Sequence, residues 1–108
     1  MPAYRKGDVV LATVGMNGKW PDKVRPAVII RDIGGKDVEL CPVTSRIPNS
    51  GNFIPVELYD FESGGLDLFS ESYILLSEKR TIKKREIICR KGRLSKEFIT
   101  EITAAFSS

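Results

Sequence analysis

The sequence predicts a mainly β protein, a small barrel or curled sheet of five or six short strands with one helix at the C-terminal end. Three observations carry this. Short runs rich in Val, Ile, Leu and Tyr recur between clusters of Gly, Pro, Asn and Ser, the residues that punctuate tight turns. The pair Gly34-Gly35 separates two such runs in the manner of a hairpin. Only the C-terminal stretch carries apolar side chains at helical rather than alternating spacing.

The elements follow in chain order. Asp8 to Val14 (DVVLATV) starts behind Gly7 and reads as the first strand, followed by a polar loop, Gly15 to Lys23, that holds Trp20 and Pro21. Pro26 is expected as the first residue of a second strand running through Ala27 to Ile30, where its missing N–H costs no ladder bond. After Gly34-Gly35, Lys36 to Val43 (KDVELCPV) returns as its hairpin partner. Ser45 to Asn52 reads as a loop, and Phe53 to Leu58 as a short strand in which Pro55 marks an edge or a bulge. Within Glu62 to Leu68, Ser63-Gly64-Gly65 reads as a turn. Ser72 to Leu76 (SYILL) is the next strand, then comes a basic turn, and Glu86 to Arg90 (EIICR) is the last strand. Ser95 then caps a helix with Glu97 in its first turn, where the helix dipole favours a carboxylate. Phe98, Ile99, Ile102, Ala105 and Phe106 fall on one face of that helix, a stripe suited to core or dimer packing.

At 108 residues and 12.1 kDa, the chain has the size of one domain, residues 1–108. With 42% apolar and 29% charged residues it can bury a modest core without disulfides or a structural metal. Cys41 and Cys89 lie 48 positions apart in apolar runs and outside any metal-ligand spacing, which suggests buried thiols in a reducing compartment. No apolar segment approaches a membrane span or a secretory leader, so a soluble, cytoplasmic protein is expected.

The chain has no histidine, which removes the commonest general acid/base and the commonest metal ligand together. There is also no Cys, Asp and Glu cluster of metal spacing and no Gly-rich phosphate loop, so no metal and no cofactor are expected. A serine–histidine hydrolase or a zinc enzyme is disfavoured, leaving electrostatic catalysis by Arg or Lys assisted by hydroxyl donors. RNA suits that chemistry. Its own 2′-OH can attack the adjacent phosphate, so a protein need only align the groups and stabilise the charge that develops.

The net charge of +3 is unevenly spread. Lys79 to Arg93 holds eight of the 17 basic residues and one acid, a net of +7, while the remainder carries −4. Such a stretch suits a polyanion, though a run of charge can equally be a solvated face. Arg25 and Thr44 form a second candidate pair. A turn near 34–35 pairs positions whose numbers sum to about 69, as 25 and 44 do, so the hairpin would bring a permanent cation and a hydroxyl donor to one end of the ladder. Arg before Pro at a strand entry, and Thr at a strand exit, are also ordinary structural choices.

The order of GDVV (Gly7 to Val10), KVRPAVII (Lys23 to Ile30), CPVTS (Cys41 to Ser45), SYILLSEKRTIKKREI (Ser72 to Ile87) and the Gly-x-Leu-Ser turn Gly92 to Ser95 resembles the MazF/PemK family of toxin endoribonucleases, from about Tyr4 to Phe106. The resemblance implies an SH3-like barrel with a C-terminal helix, a homodimer, metal-independent cleavage of single-stranded RNA to 2′,3′-cyclic phosphate and 5′-hydroxyl ends, and an antitoxin with an acidic or amphipathic C-terminal segment. Carried over by position, it implies that Arg25 is the catalytic arginine, that Thr44 hydrogen-bonds the scissile phosphate with Ser45 beside it, and that Arg80 lines the RNA groove. Lys79, Lys83 and Lys84 would extend that field, and RNA contacts are also expected from Lys19, Trp20 and Lys23 of the loop that gates the site and from Arg46, which follows the catalytic hydroxyls. Two positions depart from the family pattern: Trp20 stands where some members have a glutamate, and Glu78 where a glutamine is common. Trp20 would either stack on an RNA base or pack on its own barrel. The alternatives are a CcdB-like toxin that binds gyrase without catalysis, and an RNA-binding SH3-like module.

Overall fold

The computed structural model describes residues 4–14, 23–64 and 72–107. Eight strands build one antiparallel sheet: β1 (Asp8–Val14), β2 (Lys23–Gly34), β3 (Asp37–Thr44), β4 (Phe53–Val56), β5 (Phe61–Gly64), β6 (Ser72–Leu75), β7 (Arg80–Lys83) and β8 (Ile87–Leu94). The order is β4-β6-β3-β2-β1-β8-β5, with β7 on the free stretch of β3, and α1 (Lys96–Ser107) follows. The mainly β fold with a C-terminal helix is as expected, but the described residues form eight strands rather than five or six.

The central strands alternate between two cores because successive side chains leave opposite faces. Val9 of β1, Val28 and Ile30 of β2, and Cys41 and Val43 of β3 face a first core with Val56, Ile74 and Leu94. Helix α1 covers it with buried Phe98 and Ile102, while Ile99, Ala105 and Phe106 pack at its margin, so the helical stripe packs as its spacing predicts. Val10, Ala12, Ala27, Ile29, Val38 and Leu40 face a second core, against which Tyr4, Ile82 and Ile87 pack. Ser95 caps the helix: its Oγ accepts the Phe98 N–H at 3.2 Å.

Several boundaries differ from the sequence reading. Strand β2 begins at Lys23, so Pro26 is an interior residue, opposite Leu11 of β1. Leu58 and Leu76 belong to short 3-10 turns after β4 and β6. The last strand starts at Ile87 and runs to Leu94, absorbing most of the turn expected before the helix. The basic turn contains β7, and the expected turn around Ser63-Gly64 is β5, paired with β8. Cys89 is half-buried rather than buried; Cys41 is fully buried.

The β2–β3 hairpin sets the site's register. Its turn is Gly35-Lys36, closed by Gly34 opposite Asp37, and the left-handed backbone at both glycines suits residues without a Cβ. Register shifts between Ile29 and Arg31 and between Asp32 and Gly34 move the pairing by one residue each, so paired numbers sum to 71 at the turn and to 69 from Ile29↔Leu40 to Ala27↔Pro42. There the ladder ends. Pro26 and Pro42 both lack an N–H at this level, and β3 goes on to pair with β6, Val43 opposite Ile74 and Thr44 opposite Tyr73.

Candidate active site

Where β2 and β3 part, a cleft of about 250 Å³ opens, lined by Val24, Arg25, Pro26, Val43, Thr44, Ser45 and Ser72. The three residues singled out as catalytic, Arg25, Thr44 and Ser45, therefore share one cleft. Alternation explains how. Ala27 and Ile29 face the second core, and Arg25, two residues earlier, leaves β2 on the same side; Thr44 relates in the same way to Leu40 and Pro42 on β3. At this level the described residues of the cleft wall include the polar side chains of Arg25, Thr44, Ser45 and Ser72.

The Thr44 hydroxyl is held by its own backbone: Oγ1 accepts the Arg46 N–H at 3.2 Å. That bond uses the oxygen as acceptor and leaves the O–H hydrogen to donate outward. A second cavity of about 350 Å³ adjoins at Thr44, lined by Arg46 to Gly51, Leu75, Ser77 and Glu78. Arg80 lies opposite Leu40 on β7 and, two residues before the core-facing Ile82, shares the side of the sheet that bears Arg25. Its guanidinium pairs with the Glu78 carboxylate at 2.9 Å.

The other members of the basic stretch lie elsewhere. The Lys79 ammonium sits 5.3 Å from the centre of the Phe106 ring and 3.8 Å from a Glu39 carboxylate oxygen, toward the helix and away from Arg80. Lys83 pairs with Asp37 at 3.2 Å and Lys84 with Asp32 at 3.1 Å, beside the hairpin turn and about 23 Å along β3 from Thr44. Arg93 pairs at 2.8 Å with Asp8, a fully buried carboxylate that also accepts the Arg5 N–H at 2.9 Å, and Arg90 stands 3.7 Å from the same group. The window of +7 is thus not one surface; most of its charges have carboxylate partners on neighbouring strands. Lys23 opens β2, two residues before Arg25, while Lys19 and Trp20 lie outside the described residues.

Among the described residues no group of three or more Cys, Asp or Glu side chains is placed to hold a metal ion, and no helix is long and apolar enough to cross a membrane. Burial pushes the Cys41 thiol up to about 12, so it stays protonated at neutral pH and is no nucleophile. Sequence reasoning missed Ser72, a buried hydroxyl on the cleft wall; opening the SYILL run, it carried no signal without the β3–β6 pairing.

A cleft of Arg and hydroxyl groups thus lies where the β2–β3 ladder ends, in a curled β-sheet backed by a C-terminal helix. The chain matches over residues 5–108 the family of PemK-like, MazF-like toxins of type II toxin-antitoxin systems, and it belongs to that family. Among solved structures it is similar in fold to the Mycobacterium tuberculosis toxin MazF-mt6, with a TM-score of 0.66 and 18% identity over 93% of this chain and 96% of that one. It is also similar to a chain of the MazE-MazF crystal structure from Deinococcus radiodurans, with a TM-score of 0.56 and 17% identity over 92% of this chain and 86% of that one. No curated protein matches the sequence.

Proposed function

We propose that this toxin-family chain is a metal-independent endoribonuclease that cleaves single-stranded RNA at the Arg25–Thr44–Ser45 cleft. The observation that carries the reading is the convergence of these three side chains where the β2–β3 ladder ends. In the reaction the 2′-oxygen of one nucleotide bonds to its own 3′-phosphorus and the bond to the 5′-oxygen of the next nucleotide breaks. The 2′-OH proton leaves and the departing 5′-oxygen gains one, so the products are a 2′,3′-cyclic phosphate and a 5′-hydroxyl with no net proton change. Arg25, charged at any working pH, stabilises the extra negative charge on the non-bridging oxygens. Thr44, its oxygen already engaged by the Arg46 N–H, donates to the same phosphate, and Ser45 offers a second hydroxyl.

Lys23, Arg46 and Arg80 are proposed as the nearer RNA contacts, joined by Lys19 and Trp20. Lys79, Lys83 and Lys84 form a more distant part of the field, attenuated by their carboxylate partners. The structural likeness to a MazE-MazF chain supports an antitoxin partner, through an acidic or amphipathic segment. A cytoplasmic homodimer of one-domain chains completes the reading. Purified protein incubated with a long single-stranded RNA in EDTA is expected to yield fragments with 5′-hydroxyl and 2′,3′-cyclic phosphate ends. RNA that stays intact while gyrase is inhibited would favour the CcdB-like alternative, and RNA bound without products would favour the binding module.

A further inference from the structure

The outer face of the β4–β6 pair carries two aromatic rings that the cleavage chemistry leaves unused. Thr44, Tyr73 and Pro55 are successive cross-strand partners on β3, β6 and β4, so their side chains leave the sheet on one face. Phe53, two residues before Pro55, shares that face, and its ring meets the Tyr73 ring edge-on, centroids 5.7 Å apart at 82°. Phe53 is 37% exposed, Tyr73 is half-buried, and β4 is the edge strand of the sheet among the described residues. A cavity of about 210 Å³ lined by Pro55, Val56, Glu57, Ser72 and Tyr73 adjoins the Arg25–Thr44 cleft at Ser72. Tyr73 thus stands one strand spacing, about 5 Å, from the hydroxyl-bearing Thr44.

We infer that Tyr73 and Phe53 form a stacking platform for nucleobases flanking the phosphate held at Arg25 and Thr44, an inference that rests on the proposed cleavage of single-stranded RNA. The occupant follows from continuity: a strand whose phosphate lies in the cleft has its neighbouring bases beside Tyr73. Mutual edge-on contact already restricts both rings, so stacking orders little that is mobile. Every base presents a π-face, so the platform adds affinity with a preference for larger purines rather than reading one base.

The test uses the full chain and two probes. One is a mixed-sequence single-stranded RNA carrying 2′-O-methyl groups, which bind but cannot attack; the other is a base-free ribose-phosphate chain of the same length. Tyr73→Leu combined with Phe53→Leu is expected to weaken binding of the methylated RNA about tenfold, while Tyr73→Phe, which keeps the ring, stays within about twofold. Both variants should bind the base-free chain as the parent does. Unchanged affinity of the leucine variant for the methylated RNA overturns the platform, and so does equal loss on both probes, which would mark damage to the fold or a phosphate contact. Loss of self-association with RNA affinity retained would assign the face to a second copy of the chain and overturns it too. In each of these cases cleavage by the parent leaves the endoribonuclease reading standing. A parent that binds neither probe overturns that reading and the platform together.

Discussion

The two ends of β3 carry similar residue types and use them in opposite ways. At the hairpin end, Asp37, Asp32 and Glu39 meet Lys83, Lys84, Lys79 and Arg31 in ion pairs of 3.1–3.8 Å, and the Asp32 carboxylate also accepts the Gly34 and Tyr4 N–H groups. At the Thr44 end, two prolines stop the ladder, the strands part, and Arg25 shares a cleft with three hydroxyl side chains. A count of basic residues thus locates charge in the sequence and not on one surface. The richest basic segment largely ties strands together, while a single arginine outside it shares a cleft with the hydroxyl groups.

The largest expected effect concerns the substrate. If the open end only aligns RNA's own groups, a single 2′-deoxy substitution at a mapped cleavage position abolishes cutting there, read on a gel; continued cutting would mean another nucleophile. Thr44→Val, which keeps the β-branched shape and removes the hydroxyl, is expected to slow single-turnover cleavage at least tenfold, on the order of losing one donor to a developing charge, with Thr44→Ser retaining most activity. Next in size is the contrast between Arg46→Gln and Lys83→Gln in the dependence of RNA affinity on salt. Losing a phosphate contact should lower the slope by about one, as expected for Arg46, and Lys83→Gln should lower it less. Equal slopes would erase the distinction between the ends.

The smallest effect belongs to the hairpin end and to pH. The Gly34 N–H foremost, then Lys84 and the Tyr4 N–H, hold the Asp32 carboxyl below its ordinary value. A carboxyl lowered by folding adds stability above its unfolded value, and that increment is lost as pH falls through the folded one. Urea unfolding of Asp32→Asn should therefore differ from the parent at neutral pH and converge with it in acid, with the cleavage rate of the folded variant unchanged. A difference that persists in acid would assign the effect to something other than this charge.

How much of this was legible in the sequence depends on what each segment buries. The hairpin, β1, β6 and the helix carry apolar side chains at their own period and were readable. Strand β7 (RTIK) has one apolar residue, Ile82, and is a strand because the free stretch of β3 offers a ladder to pair with. Strand β5 (FESG) ends in Gly64, opposite Gly92, where a Cβ would collide with the Lys91 carbonyl oxygen; in sequence such a glycine is indistinguishable from a turn. The sum of 69 follows from the arithmetic, yet the structure reaches it only from Ile29 to Ala27, through two register shifts in β2 and a turn one residue later than expected, and the ladder ends before Arg25 and Thr44. The Tyr73–Phe53 contact needed the β4–β6 register, which no short-range signal supplies.

Whether the chemistry belongs to the end of the sheet where the β2–β3 ladder stops can be tested on one strand. Arg25 and Arg31 both lie on β2, about 20 Å apart, and Arg31 is exposed and pairs with Glu39 at 3.6 Å. Single-turnover cleavage of one RNA at saturating protein should fall at least a hundredfold, roughly, in Arg25→Gln and stay within about twofold of the parent in Arg31→Gln. Equal rates in the two variants, or a loss confined to Arg31→Gln, would place the chemistry away from the Arg25 end.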